Sequence, residues 1–469
     1  MDTNDKPAET IEPKLELWDA VSIVVGIIIG VGIFWTPPRI FASAPSASIA
    51  IGLWILGGLF ALIGALCFAE LAAAYPRSGG EYVYITRAFG PFAGFLFAWS
   101  QLTVTRSGNI AGMAYIFGET ASSLFGMTDG ASFALAGGAV AGLTIVNILG
   151  VRMGTATQNI LTVAKVLGLT LLIVAGFVWG KGEPPAGGQI AQREDMWVLY
   201  GMIFVLWTYS GWHEAAYIVA EAKNHTRNIP LALMLGTTIV TVIYVLINFA
   251  FLHAFGFEGA SRENIAEQLL DLVWPGYGAR FMEVLIMVSS LGAINGMIFT
   301  TGRIYSEFGK DHRIFKLLSH WSTRMQTPVR ALAIQCLFTV AIILGVWWIG
   351  KGDPDYTNFD RTVQVTVVVF WTFFCFTGVA LVLLRERDPD TPRPFRVPFY
   401  PLLPIIFCAT CAYIVIGTVL RDFQKERIET LFGVGILLIG LPFYFLPLKA
   451  KHEPAEPEPV ETADSSAAT

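Results

Sequence analysis

The sequence predicts an all-α membrane protein with twelve transmembrane helices, and two observations carry this prediction. The first is composition: of 469 residues, 54% are apolar or aromatic (AVILMFWYC) and 14% are charged, against about 25% charged in soluble domains. The second is the length of the apolar runs, which reach the roughly 20 residues that a helix needs to cross a bilayer. Membrane β-strands need only about 9–11 residues. Because backbone groups in lipid must bond within their own segment, the runs are predicted to be helices.

Twelve apolar runs divide the chain between two polar tails. They cover residues 17–42, 49–75, 92–124, 131–149, 158–178, 197–220, 231–255, 279–306, 329–349, 363–384, 402–419 and 428–446. Of the 31 Lys and Arg residues, 19 belong to the side of the predicted membrane that holds the N-terminus and 10 to the other side. The remaining two, Arg106 and Lys165, lie near the middle of their spans, whereas Arg or Lys residues at span ends are counted with the adjoining side. By the positive-inside rule, both termini are predicted to be cytoplasmic. The predicted location of the protein is the plasma membrane.

The tails, the charge pattern and the cysteines argue against a signal peptide, a nucleic-acid partner and a metal site. Residues 1–16 form an acidic, polar N-terminal tail without the basic region of a signal peptide. Residues 448–469 are rich in Pro, Glu and Ala, which is typical of a disordered tail. The net charge is -5 and no Lys/Arg run occurs, so nucleic acid is not an expected partner. No metal or cofactor is predicted, because Cys408 and Cys411 have no second pair or neighbouring His to complete a site.

Span 1 contains an interruption near its centre. The sequence Gly30-Val31-Gly32 stands in the middle of the apolar run, and Pro37-Pro38 follows within two turns. Glycine inside a helix costs about 1 kcal/mol relative to alanine, which favours unwinding at this point. Close packing of small residues between helices is the alternative. Span 1 alone does not separate the two interpretations.

Span 6 contains a second interruption, which favours unwinding. Small residues at Ser210 and Gly211 break its apolar run, and the polar pair His213-Glu214 follows. The breaks are five spans apart, which matches two five-helix repeats of inverted topology with a midplane site between their first helices. The predicted units are residues 17–180 and 195–385, with residues 400–447 outside the repeats.

Two broken helices suit a zwitterionic ligand. An unwound segment exposes N–H groups at the start of one half-helix, which favour a carboxylate, and carbonyl groups at the end of the other, which favour an ammonium. An α-amino acid carries both groups. Its recognition at such a site needs no charged side chain.

Several separated motifs resemble those of one family. The run 30–34 (GVGIF) resembles the Gly-Ser-Gly-Ile-Phe motif of the amino acid–polyamine–organocation (APC) superfamily, and 69–82 (AELAAAYPRSGGEY) resembles the end of its second helix and the following loop. Residues 295–303 resemble its eighth helix, and 392–398 (PRPFRVP) its loop before helix 11. The resemblance runs from about residue 17 to 446 and is nearest to the L-type amino acid transporters and their bacterial relatives. It implies the LeuT-like fold, a five-plus-five inverted repeat with helices 11 and 12 outside it.

The resemblance also implies the substrate contacts. N–H groups at the span 1 break are placed against the substrate carboxylate, and carbonyls of both broken helices against its ammonium. The residues expected in these contacts or in the pocket lining are Ile28, Gly30, Val31, Gly32, Trp207, Ser210, Gly211 and His213. Val31 replaces the serine of the motif and removes a hydroxyl, while Ser210 stands where many relatives have glycine and narrows the pocket. Small or medium substrates are therefore expected.

Ionisable residues inside a bilayer are costly and are therefore candidates for function. Lys165 in span 5 matches a lysine that, in many members of the family, replaces the sodium ion of sodium-coupled relatives. It is expected to contact helix 1 and the hydroxyls of Ser289 or Ser290 in helix 8. Arg106 either faces the cavity or pairs with carbonyls in the bundle. Glu214 is expected to form an internal ion pair or hydrogen-bonded packing contacts.

The sequence therefore predicts a secondary active transporter of neutral L-amino acids, working by exchange or with protons, and not an enzyme. The six His residues are scattered without an HExxH motif, and no GxxxxGK[ST] loop is present to bind ATP. A cationic amino acid or polyamine transporter of the same fold is the alternative within the class, and it would use Glu214. A transporter-like membrane sensor is the alternative from another class. The expected partners are a small-molecule amino acid and membrane lipid.

Overall fold

The structure is a computed structural model that describes residues 13–128, 130–183, 189–191, 197–349, 358–424 and 429–446. These residues form α-helices, a π-helical segment (Gln101–Thr105) and two 3-10 helices (Glu214–Glu221 and Arg313–Ser319), and the described ranges contain only isolated β-bridges and no strand. The all-α prediction is confirmed. Most of the N-terminal tail and the whole of the tail predicted at 448–469 lie outside the described residues.

The α-helices are numbered in chain order. They are α1 (Leu17–Ile28), α2 (Gly32–Ser43), α3 (Ala47–Ala74), α4 (Glu81–Phe89), α5 (Pro91–Ser100), α6 (Arg106–Leu124), α7 (Ala131–Ile148), α8 (Val151–Trp179), α9 (Trp197–Thr208), α10 (His225–Ala260), α11 (Ile265–Asp271), α12 (Gly278–Asp311), α13 (Val329–Ile349), α14 (Asn358–Arg387), α15 (Leu402–Gln424), α16 (Glu429–Ile439) and α17 (Leu441–Phe445).

Eight helices in the described residues are long and apolar enough to cross a membrane: α3, α7, α8, α10, α12, α13, α14 and α15. The pair α1 and α2 forms a ninth span if it is counted together, with a bend of 48° between its halves. The predicted spans 3, 6 and 12 are divided into shorter helices. In span 3 the π-helical segment separates α5 from α6, and in span 6 α9 ends at Thr208. In span 12 α16 ends and α17 begins beside Pro442, which has no N–H group to continue the helix.

The central helix of the bundle is α12. Of its most apolar stretch, 78% is buried inside the protein, against 22% for α7, which lies at the periphery. Small residues let other helices approach it closely. A Cβ added to Gly296 would lie 2.4 Å from the side chain of Ile27 on α1, and one added to Gly292 would lie 2.5 Å from the side chain of Lys165 on α8. Glycine on α12 therefore brings α1 and α8 together against one helix.

The residues just before α1 are bound to the residues that precede α10. The N–H groups of Lys14 and Leu15 donate to the carbonyl of Glu221 at 2.8 and 2.9 Å, and the N–H group of Lys223 donates to the carbonyl of Leu15 at 2.9 Å. The Lys223 ammonium also pairs with Glu16 at 2.8 Å. We call this pairing the N-terminal strap. It attaches the start of α1 to the end of the 3-10 helix in span 6.

Buried ion pairs hold other helices together at the same end. Glu221 accepts two hydrogen bonds from Arg303 of α12, at 2.7 and 2.9 Å, and both side chains are almost fully buried. Glu70 of α3 pairs with Arg385 of α14. Removing one partner of a buried pair leaves an uncompensated charge. These pairs therefore link the 3-10 helix of span 6 to α12, and α3 to α14.

Candidate substrate-binding site

The first predicted helix break is present. Helix α1 ends at Ile28, and α2 begins at Gly32 after a bend of 48°. The first turn of any helix leaves N–H groups without an acceptor in the same helix, so the start of α2 offers donors at this point. A Cβ on Gly32 would lie 2.9 Å from the ring of Trp207 and 3.0 Å from the hydroxyl of Thr208. Glycine is therefore what lets span 6 approach the break.

The second predicted break is present in span 6. Helix α9 ends at Thr208, and the chain turns through Gly211, whose φ of +111° lies in the region that favours glycine. A Cβ on Gly211 would lie 2.8 Å from the side chain of Ile27. The hydroxyls of Thr36 on α2 and Thr208 are 2.9 Å apart. The two breaks are therefore in direct contact.

A cavity of about 60 Å³ lies at this junction, which is room for a few water molecules. Four of the predicted site residues line it, namely Trp207, Ser210, Gly211 and His213. The rest of the lining is Ile27, Arg106, Asn109, Met113, Glu214, Ala293, Met297 and Phe370. The cavity is therefore small, and polar on the side formed by α6 and the residues after the span 6 break.

The other four predicted residues, Ile28, Gly30, Val31 and Gly32, form the break in span 1 and are not part of this lining. The Ile28 carbonyl, predicted to accept from the substrate ammonium, accepts from the hydroxyl of Tyr244 at 2.8 Å and from the N–H group of Gly30 at 2.7 Å. A carbonyl oxygen has two lone pairs, and both are engaged here. A substrate ammonium must displace one of these donors to reach Ile28.

Arg106 and Glu214 form a buried ion pair that faces the cavity. The guanidinium donates to one carboxylate oxygen, and the two side chains are 3% and 0% exposed. The other oxygen of Glu214 accepts from the hydroxyl of Thr300 on α12 at 2.6 Å. Arg106 also lies 3.4 Å from His213 Nε2. Of the arrangements expected of Glu214, the structure shows an ion pair together with a hydrogen bond from Thr300. Arg106 both faces the cavity and pairs with a carboxylate instead of carbonyls.

Lys165 of α8 reaches the end of α1. Its ammonium donates to the carbonyls of Gly26 at 2.6 Å and Ile29 at 2.8 Å. The last carbonyls of a helix have no partner within it, and a lysine is a suitable donor to them. Ser289 of α12 donates to the same Ile29 carbonyl at 3.2 Å, whereas Ser290 donates within its own helix. Lys165 therefore joins α8, α1 and α12 at the first break, with Ser289 and not Ser290 as the second donor.

Three hydroxyls that complete the site were not singled out from the sequence: Tyr217, Tyr244 and Thr300. Each stands in a mostly apolar run, where a buried hydroxyl needs a partner. Many hydroxyls in such runs bond only to their own helix, as Thr170 does to the carbonyl of Val166. Residue type and position therefore do not distinguish a hydroxyl that links helices from one that does not.

One family model extends over almost the whole of this arrangement. It is described as an amino acid permease, and it matches residues 15–439, which include both breaks, Lys165 and the Arg106–Glu214 pair. The chain belongs to the amino acid permease family. This confirms the predicted APC membership. The permease is therefore a transporter, and the prediction that it is not an enzyme is confirmed as well.

Several relatives named as amino acid transporters align with the permease over most of their length. It is 31% identical over 452 residues to the mouse b(0,+)-type amino acid transporter 1, covering 93% of this chain and 88% of that protein. It is 28% identical over 440 residues to the serine/threonine exchanger SteT of Bacillus subtilis, covering 93% and 97%. It is 30% identical over 459 residues to the mouse large neutral amino acids transporter small subunit 2, covering 95% and 82%.

Proposed function

We propose that the permease carries neutral L-amino acids across the plasma membrane by alternating access, by exchange or with protons, with one substrate bound between the two helix breaks. The observation that carries this proposal is the state of Glu214, the one carboxylate in the described cavity lining. Both of its oxygens are engaged, one by Arg106 and the other by Thr300. A cationic side chain or a polyamine needs an unpaired carboxylate at this place, and a neutral side chain does not.

The proposed architecture is the twelve-span, LeuT-like arrangement. Residues 17–180 and 195–385 form the two inverted repeats, residues 400–447 lie outside them, and both termini are cytoplasmic. The direct contact between the breaks supports the repeats, because the first helices of two such repeats face each other near the midplane. The excess of Lys and Arg on the side of the N-terminus supports the orientation.

In the proposed complex, the N–H groups at the start of α2 bind the α-carboxylate of the substrate. The carbonyls at the end of α9 and at Ile28 bind its ammonium. The Trp207 carbonyl accepts from the N–H group of Ser210 at 3.0 Å in the present structure. Binding therefore exchanges hydrogen bonds inside the breaks for hydrogen bonds to the substrate, which couples substrate occupancy to the shape of both broken helices.

We expect binding to require both the α-amino and the α-carboxyl group, because each half-helix end recognises only one of them. The purified permease should gain thermal stability with L-serine, since a ligand that binds only the folded state stabilises it by mass action. Serine methyl ester and ethanolamine each lack one of the two groups and should have no such effect. If ethanolamine stabilises the permease as well as L-serine does, recognition at both helix ends is wrong.

We expect Ser210 to restrict the substrate side chain, because it lines a small cavity and carries a side chain where relatives have glycine. The wild type should prefer Ala, Ser, Thr or Val. In Ser210→Gly, Leu or Phe should compete about tenfold better relative to Ala, the lower end of what one methylene contributes in a pocket. Competition against labelled alanine uptake measures this, and Ser261→Gly, outside the cavity lining, is the matched control. Tight wild-type binding of Phe or Trp with weak binding of Ala would contradict the prediction.

A further inference from the structure

A second buried carboxylate lies close to the Arg106–Glu214 pair without lining the cavity. Glu81 is the first residue of α4, a nine-residue helix in the connection between predicted spans 2 and 3, and it is 1% exposed. Its carboxyl interacts with the hydroxyl of Tyr217. The oxygen Oε2 is buried and has no hydrogen-bond partner. Most buried polar side-chain atoms have a partner, and an unpaired oxygen is less costly on a neutral, protonated carboxyl than on a carboxylate.

Polar contacts connect Glu81 to the cavity. Tyr217, on the 3-10 helix of span 6, accepts from the Arg106 guanidinium at 3.4 Å. Arg106 and its partner Glu214 both line the cavity. Gly80 makes the approach possible, since its φ is +50° and a Cβ there would lie 2.4 Å from the ring of Tyr217. The line Glu81–Tyr217–Arg106 therefore runs from the α4 connection to the substrate site.

The charges along this line do not balance when Glu81 is ionised. Arg106 is already matched by Glu214, so a second carboxylate leaves a net negative charge in a fully buried place. Such a charge is costly, and a carboxyl in this position takes up a proton instead. Burial raises the pKa of Glu81 to about 8. The Tyr217 hydrogen bond and the charge of Arg106 lower this pKa, and the charge of Glu214 raises it.

Most of the other charged groups on the elements packed around Glu81 have partners of their own. Glu307 on α12 is paired with Arg77 and Lys310, and Arg387 on α14 donates to a backbone carbonyl of α4. On α4 itself, Tyr82 donates to Asp311 and Arg87 to Asp388, and Arg303 on α12 is paired with Glu221. Further groups are Tyr84 on α4, His213 after the span 6 break and Tyr305 on α12. In the described surroundings, Arg106 is thus the cation that acts on Glu81, and it is shared with Glu214.

We propose that Glu81 is a proton-binding site whose occupancy is linked to substrate in the cavity. The proton site stands on the geometry alone, and the linkage rests on the proposed function. A substrate in the cavity displaces water from beside Arg106 and Glu214, which makes ionised Glu81 still less favourable. Binding therefore draws in a proton. By reciprocity, the proton strengthens substrate binding by the same factor.

The proton site is tested without substrate. The pKa of Glu in an unfolded chain is about 4.3, so the native protein holds one proton more than the unfolded chain between about pH 4 and about pH 8. Wild-type stability is therefore lost as the pH rises through this window. Glu81→Gln keeps the shape and does not titrate, so its apparent melting temperature relative to the wild type should rise from about pH 5 to about pH 8 and then level off. The control Glu16→Gln, at an exposed carboxylate, should show no such rise. A difference that does not vary with pH would overturn the proton site.

The linkage is tested by binding. L-serine loses its own ammonium proton toward pH 10, which weakens binding to wild type and Glu81→Gln alike, so the ratio of the two affinities is the quantity to compare. The wild-type affinity divided by that of Glu81→Gln should be constant up to about pH 7 and fall about fivefold or more by about pH 10, the lower end of typical coupling. Calorimetry of the wild type in buffers of different ionisation heat should show proton uptake on binding, which needs no variant. An equal pH dependence in wild type and variant, or no proton uptake, would overturn the linkage. If no amino acid binds at any pH while the stability difference is present, the proposed function is wrong and the proton site stands.

Discussion

Lys165→Ala is expected to retain the fold and to lose most of its transport activity. The ammonium donates to two carbonyls at the end of α1, and without it only the hydroxyl of Ser289 still reaches the Ile29 carbonyl. The junction of α8, α1 and α12 is then weakened at the point where span 1 is broken. A loss of about tenfold or more in uptake is within the usual range of coupling between sites. Uptake of a labelled amino acid into proteoliposomes measures it, with gel-filtration elution as the measure of folding.

A matched control for this variant is Lys181→Ala, which removes an exposed lysine just beyond the same helix and should transport normally. If the Lys165 ammonium stands where relatives bind sodium, the wild type should also transport without sodium. Two outcomes would contradict the prediction. One is a Lys165→Ala variant that transports at the wild-type rate across pH, and the other is wild-type transport that stops when sodium is removed.

Glu214→Leu is expected to lower the free energy of unfolding by about 3–5 kcal/mol, because it leaves the Arg106 guanidinium buried without its counter-charge. Both side chains are almost fully excluded from solvent. The double variant Arg106→Met with Glu214→Leu removes both charges and should recover most of the loss, since apolar residues of similar volume replace buried ion pairs at little cost. Denaturant unfolding of the purified protein measures both.

The exposed carboxylate Glu16 supplies the control for this experiment. Glu16→Leu breaks a surface pair with Lys223 and the side-chain contact of Glu16 in the capping box of α1. A surface pair contributes about 0–1 kcal/mol and a helix cap about 1 kcal/mol, so the expected loss is smaller than that of Glu214→Leu. A double variant as unstable as Glu214→Leu alone would mean that the loss comes from the shape of the site and not from the unpaired charge.

The helix breaks were predictable from the sequence because their cause is local. Glycine in a helix interior costs free energy wherever the helix stands, so Gly30, Gly32 and Gly211 weaken their helices locally. The spacing of the two weak points, five spans apart, is what favours unwinding over close packing. In the structure α1 ends two residues before Gly30, α2 begins at Gly32, and α9 ends three residues before Gly211. The charged candidates were predictable for a similar reason, since an ionisable residue in an apolar run is conspicuous.

The partners of these residues were not predictable in the same way. Arg106 and Glu214 are 108 positions apart, and Tyr244 is 216 positions from the carbonyl of Ile28 that it occupies. Such pairs depend on which faces of distant helices pack together, and a hydropathy pattern carries no information about that. The hydropathy pattern therefore does not reveal that the Ile28 carbonyl, predicted to accept from the substrate, already accepts from the hydroxyl of Tyr244.

The division of span 3 by a π-helical turn was not predictable from the sequence either. The π-helical turn Gln101–Thr105 has no glycine or proline, and the apolar run continues through it. Its wider turn is accompanied by hydrogen bonds from the hydroxyls of Thr105 and Ser107 to carbonyls five positions back. Ordinary threonine and serine hydroxyls in helices bond four positions back, so only the structure distinguishes the two patterns.

The N-terminal strap gives α1 a mechanical connection that its own helix does not provide. Any tilt of α1 away from the bundle either carries the 3-10 helix of span 6 with it or breaks the three backbone hydrogen bonds to residues 221–223. At about 1 kcal/mol net for each bond, rupture costs about 3 kcal/mol, which is as large as the free-energy gap that keeps a minor conformer at about 1%. A few residues upstream of the first helix therefore raise the free energy of any movement of α1 away from the bundle.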